Sequence, residues 1–185
     1  FGSVNVDLVM RVSTLPISGE TVLTDDYQSL PGGKGANQAL AARRAGADSV
    51  FVGAVGDDAH GISALALLAQ DGVDLSYTVK TKRNTGCAVV MVDEVGCNLI
   101  GVASGANQDI QSDQVADELI AQAGVVVLQQ EIPIEQNLRL AQRAKHLNTP
   151  VLFNLAPATH VPNALLSHVD WLVVNEVEAT FLASS

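Results

Sequence analysis

The sequence predicts an α/β fold in which a mostly parallel sheet is flanked by helices and carries a small β-sheet lid, and three observations predict it. From Ala36 onward, apolar runs of strand length alternate with helix-length periodic segments, the pattern of parallel strands covered by crossover helices. Two stretches, 21–30 and 86–102, break that rhythm and read as antiparallel ribbons. Between the first ribbon and the first helix lies Pro31-Gly32-Gly33-Lys34-Gly35-Ala36-Asn37-Gln38-Ala39, a glycine-rich loop with a single lysine.

The elements follow in order. Val4 and Val6 alternate with Asn5 and Asp7, so a first strand turns both polar side chains to one face. The spacing predicts a helix over 36–45 closed by Gly46, then a strand over 49–52. Ile62, Leu65, Leu68 and Ala69 recur at helical spacing and predict a helix over 61–71. Further on come a helix over 113–123, a strand over 125–128, a helix over 135–147, strands over 151–154 and 171–174, and a helix opening near Glu176. The core takes in about 1–10, 31–85 and 103–185, and the lid about 11–30 and 86–102, with a turn at Asp93-Glu94-Val95-Gly96. Phe1 falls inside an expected strand and Ser185 a few residues into an expected helix, so 1–185 reads as one incomplete domain. Gly-Ala-Asn-Gln occurs at 35–38 and again at 105–108, which reads as coincidence or a repeated turn-and-cap solution.

Composition narrows the function. A net charge of −10, a pI near 4.6 and ten scattered Lys and Arg leave no basic face for nucleic acid. Cys87 and Cys97 have no partner at metal-ligand spacing and His60, His146, His160 and His168 are dispersed, so neither zinc nor a disulfide framework is expected. No apolar run approaches a membrane span and no leader opens the chain; the expected setting is a reducing cytoplasm.

The glycine-rich loop reads as a polar small-molecule site. Its glycines let backbone approach a ligand, the amides of the first helical turn are expected to be free donors, and Lys34 adds a full positive charge. Its spacing matches neither Gly-x-x-x-x-Gly-Lys-Ser/Thr nor Gly-x-Gly-x-x-Gly, which argues against a P-loop or a Rossmann dinucleotide site. In a doubly wound sheet, ligands sit at the carboxyl ends of strands, and polar residues gather there. Glu131 follows 125–130, Asn154 ends 151–153, and Asn175 with Glu178 follows 171–174. Taken singly each is equally an ordinary turn or helix cap, and Asp57 or Asp58 reads better as a cap than as a ligand.

Together these residues resemble the ribokinase-like carbohydrate kinase family. The likeness runs through Gly2-Ser3-Val4-Asn5-Val6-Asp7, Gly19-Glu20-Thr21, Gly32 to Ala39, Gly56-Asp57-Asp58 with Gly61, Gly105-Ala106-Asn107, Gln130-Glu131 and Asn175-Glu176-Val177-Glu178-Ala179. The resemblance implies that Asn5, Asp7, Gly33, Lys34, Asn37 and Glu131 hydrogen-bond a sugar. It also implies that Asn175 and Glu178 lie near magnesium and the triphosphate of ATP, Glu178 as the metal-side carboxylate. Leu155 replaces a proline of the family's turn in Asn154-Leu155-Ala156-Pro157.

The implied reaction transfers the γ-phosphoryl of ATP to the primary hydroxyl of D-ribose. The family's Asp base, anion hole, adenine pocket and potassium site belong to a segment that does not occur before Ser185, so no catalytic base is assigned and 1–185 alone is expected to be inactive. Two other readings stay open: a kinase of the same family for deoxyribose, a ketose, a sugar acid or a nucleoside, and a truncated non-catalytic sugar-binding protein. The lid suggests a partner, and the resemblance implies a homodimer formed lid to lid, with a monomer whose lid only covers the sugar as the plain alternative.

Overall fold

The computed structural model describes residues 1–184. Its first sheet has the order β2-β1-β5-β6, built from β1 (Asn5–Arg11), β2 (Tyr27–Gly32), β5 (Gly86–Val92) and β6 (Asn98–Ala103). β1 runs parallel to β5, while β2 and β6 flank them antiparallel. The segment assigned to the core at 1–10 therefore leads into a strand that the two expected ribbons join from either side. The turn between β5 and β6 is held by Asp93 Oδ1, which accepts from the amides of Val95 at 3.1 Å and Cys97 at 2.8 Å.

Two smaller sheets are wholly parallel. One pairs β3 (Ala54–Gly56) with β4 (Val79–Thr81), and the other has the order β7-β8-β9, from β7 (Val126–Gln129), β8 (Val151–Asn154) and β9 (Trp171–Val173). Residues 1 and 2 bridge them, since the Gly2 amide donates to Val52 O at 3.0 Å and the Phe1 nitrogen to Val127 O at 3.3 Å. The helices are α1 (Lys34–Arg44), α2 (Ala59–Gln70), α3 (Asp117–Gln122), α4 (Ile134–His146), α5 (Asn163–Leu166) and α6 (Glu176–Ala183). One core packs Leu128, Phe153 and Leu155 against Leu140 and Leu165; a second packs Val4, Val6 and Phe51 against Ala64 and Leu68 of α2. Among the described residues no helix is long and apolar enough to cross a membrane.

Several expected elements differ. The strand expected over 49–52 is a single parallel bridge between Val50 and Asp74; the regular ladder begins at Ala54, where β4 lies alongside. The ribbon expected over 21–30 is a strand only from Tyr27; ahead of it Thr24 Oγ1 donates to the Arg11 carbonyl at 2.6 Å and Asp26 Oδ1 accepts from the Tyr27 amide at 2.7 Å. The helix expected over 113–123 is a 3-10 turn at Ser112–Gln114 followed by α3. Val115 separates them: its side chain is buried, its backbone is extended, and its carbonyl accepts from Arg143 Nη2 at 2.6 Å, which withdraws it from helical bonding.

Candidate functional site

The site forms where β1, the glycine-rich loop and the end of β7 meet. Alternation along β1 puts Asn5 and Asp7 on the face opposite Val6 and Leu8, which pack over α2. Flanking positions are small. Gly32 and Gly86 lie opposite Asn5, and a Cβ on Gly32 would fall 2.3 Å from the Asp7 carboxylate. Gly33 caps α1 with φ 92°, in the left-handed region that glycine favours, and a Cβ there would sit 2.6 Å from Val4 Cα. The loop thus lies directly on the start of β1.

The first-turn amides expected to be free are all engaged. Lys34 N donates to Glu131 Oε2 at 2.9 Å, Gly35 N to Ser3 Oγ at 3.2 Å and Ala36 N to Ser3 O at 2.9 Å. α1 has no acidic residue in its first turn, and Glu131, reaching across from beyond β7, supplies the anion that the helix N-terminus attracts. Ser3 Oγ also donates to Glu131 Oε2 at 2.6 Å. That oxygen is consumed by the fold, and Oε1 remains, 4.0 Å from Lys34 Nζ.

These contacts gather two carboxylates and one ammonium. Burial raises the Asp7 pKa above the ordinary carboxylate range, the neighbouring Glu131 charge adds to the rise, and Lys34 opposes it. An ionised Asp7 accepts from two hydroxyl protons, and Glu131 Oε1 from another, so the arrangement suits a ligand rich in adjacent hydroxyls. Asn37 lies exposed on the first turn of α1, with no side-chain hydrogen bond among the described residues.

Two residues went unassigned by sequence reasoning. Ser3 is fully buried under the loop, and Asn107 is 1% exposed, in the 3-10 turn Gly105–Asp109. Asn107 bonds to Val4 and to Asn5. The signal for Asn107 was the second Gly-Ala-Asn-Gln, which marks a helical turn in both places.

The other strand ends behave as caps. Asp58 caps α2 through Gly61 N at 2.8 Å and also accepts from Thr85 N and Oγ1, while Asp57 pairs with Lys80 at 2.8 Å. Asn175 and Glu178 form a reciprocal capping box at the start of α6: Glu178 N donates to Asn175 Oδ1 and Asn175 N to Glu178 Oε2, each at 2.8 Å. Among the described residues no group of three His, Cys, Asp or Glu forms a metal cluster. Glu178 Oε1 takes no part in the box, and a single free carboxylate oxygen is compatible with a magnesium ion whose remaining positions would be taken by phosphate oxygens and water.

The pfkB family of carbohydrate kinases matches residues 1–185. Ribokinase of Arabidopsis thaliana is 39% identical over 98% of this chain and 50% of its own length, and ribokinase of Bacillus subtilis 39% over 98% and 62%. The structure of Arabidopsis thaliana ribokinase complexed with ribose and ATP superposes with a TM-score of 0.88 at 37% identity, covering 99% of this chain and 61% of that one. Thermotoga maritima ribokinase gives 0.90 at 30% identity, over 99% and 60%. The chain thus spans 50–62% of the length of these relatives, with the ribokinase-like fold preserved throughout. With the family matching from Phe1 to Ser185 over a site built of paired carboxylates and a glycine-rich loop, this chain belongs to the pfkB family of carbohydrate kinases.

Proposed function

We propose that this chain is the sugar-binding portion of an ATP-dependent kinase that phosphorylates D-ribose on its primary hydroxyl. The carrying observation is the convergence of Asp7, Glu131 and Lys34 beside glycines that leave room for a ligand. The ribokinase relatives, one of them complexed with ribose and ATP, support ribose as the sugar. Asn5, Asp7, Gly33, Lys34, Asn37 and Glu131 hydrogen-bond its hydroxyls and hold it in one orientation, so the primary hydroxyl points in line with the γ-phosphorus. In transfer, that hydroxyl oxygen forms the new bond to phosphorus, the bond to the β–γ bridging oxygen breaks, and the hydroxyl proton passes to a base outside these residues. The products are the sugar 5-phosphate and ADP.

At the other strand ends, Asn175 and Glu178 would hold the magnesium–triphosphate end of ATP, Glu178 Oε1 being the carboxylate oxygen left outside the capping box. Magnesium supplies neutralisation of the phosphate charge when bound. A potassium requirement belongs to the same reading, through residues outside this stretch. Cys87 and Cys97, both unpaired, support a reducing, cytoplasmic setting.

The lid supports a homodimer. On the face that carries Asp7, the pairing register places Leu30, Val90, Ile100 and Val102, of which Leu30, Ile100 and Val102 are 46–55% exposed. A second lid packed on that face buries these side chains and covers the sugar at once. Calorimetric titration with D-ribose tests the sugar site directly, and a flat titration counts against it. For the kinase of which this is a portion, ribose-dependent ADP formation is the corresponding assay.

A further inference from the structure

Hydrogen-bond directions beneath β1 are fixed by backbone, and this determines what the site presents to a ligand. The amide of Val4 can only donate, and it donates to Asn107 Oδ1 at 3.0 Å. The carbonyl of Val4 can only accept, and it accepts from Asn107 Nδ2 at 3.1 Å. These two contacts leave a single orientation for the Asn107 amide. Its Nδ2 then donates its second hydrogen to Asn5 Oδ1 at 2.8 Å. Asn5 is in turn oriented, with its oxygen spent on Asn107. Both are almost fully buried, and a Cβ on Gly86 would come within 2.2 Å of Asn5 Oδ1 and 2.5 Å of Asn107 Nδ2, so little space is left for another rotamer.

We infer that Asn107 is a positioning residue that makes Asn5 a hydrogen-bond donor to the ligand, so that the site selects a hydroxyl able to accept at Asn5 beside hydroxyls that donate to Asp7 and Glu131. The inference rests on the sugar-site reading and adds to it a polarity code. Asn5 offers hydrogens only. Asp7 and Glu131 Oε1, as ionised groups, offer lone pairs only. A ligand group that accepts without donating is tolerated at Asn5 and rejected at the two carboxylates.

The probes are D-ribose and analogues in which each hydroxyl in turn is replaced by fluorine, which accepts weakly and cannot donate, or by hydrogen, which does neither. Calorimetry on the unaltered chain is expected to find one position where fluorine binds about tenfold better than hydrogen, and others where both are equally poor. Asn107→Asp keeps the acceptor for Val4 N but offers no hydrogen to Asn5, whose amide then turns its nitrogen inward and its oxygen to the ligand. Ribose, whose hydroxyl can donate instead, still binds, while the fluorine advantage at that position is lost. Should Asn107→Asp not fold, Asn5→Asp keeps Asn107 and both Val4 contacts and is expected to lose the same advantage.

A parallel weakening of every ligand, or a fluorine advantage unchanged in the variants, overturns the inference and leaves the sugar site standing. No ribose binding by the unaltered chain overturns the sugar-site reading and the inference together.

Discussion

Asp7 is under opposing demands from folding and from binding. Its carboxylate is partly desolvated and faces Glu131, which raises its pKa, so in the absence of ligand the ionised form costs stability. A carboxylate with a raised folded-state pKa is held most favourably when protonated; the stability penalty is present at neutral pH and disappears as pH falls through the raised value. Asp7→Asn is therefore expected to melt at a higher temperature than the unaltered chain at pH 7.5, the gap closing towards acid. The same substitution removes a charged acceptor and is expected to weaken ribose about 10- to 100-fold. Ribose affinity of the unaltered chain should also fall on acidification, at a pH above that of an ordinary aspartate, as titrations across pH 4–8 will show. Asn5 and Asp7 were legible because strand alternation alone puts them on one face. Ser3 and Asn107 were not, because their roles come from contacts with residues a hundred or more positions away.

Among the elements, the helix starts carry the most information. Asp58 both caps α2 and receives two hydrogen bonds from Thr85, binding the end of β3 to the approach to β5. Burial works against its ionisation, but the Thr85 and Gly61 donors outweigh it and hold its pKa below the usual range. The stabilisation is present above the ordinary aspartate pKa and is lost as pH falls through the lowered one. Asp58→Ala is expected to cost about 2 kcal/mol at pH 7 in urea unfolding, with the difference shrinking below about pH 4. This cap was readable from sequence, as was β8, found at the expected 151–154, since an apolar run bounded by Pro150 and a polar Asn needs no distant information. The break between the 3-10 turn and α3 was not, because Arg143, which captures the Val115 carbonyl, is 28 residues away.

At the scale of the whole molecule, the lid face and the site are continuous, so association and binding are expected to be coupled. Ile100 lies on β6, two strands away from Asp7, and 55% of it is exposed. Ile100→Asp puts a charge on the apolar face without touching the glycine-rich loop. It is expected to shift sedimentation from dimer to monomer, and ribose binding should weaken with it if the second lid helps to cover the sugar; an unchanged sedimentation profile argues against this interface. The bonds that assemble the site also have a kinetic meaning. Ser3 and Lys34 meet Glu131 across 128 and 97 residues, and Val4 meets Asn107 across 103. Closing such long loops is slow and is rewarded only once both ends are ordered. Refolding of this chain should therefore regain helical signal well before it regains ribose binding, so a sugar added at the outset cannot template the early steps and can only trap the finished fold.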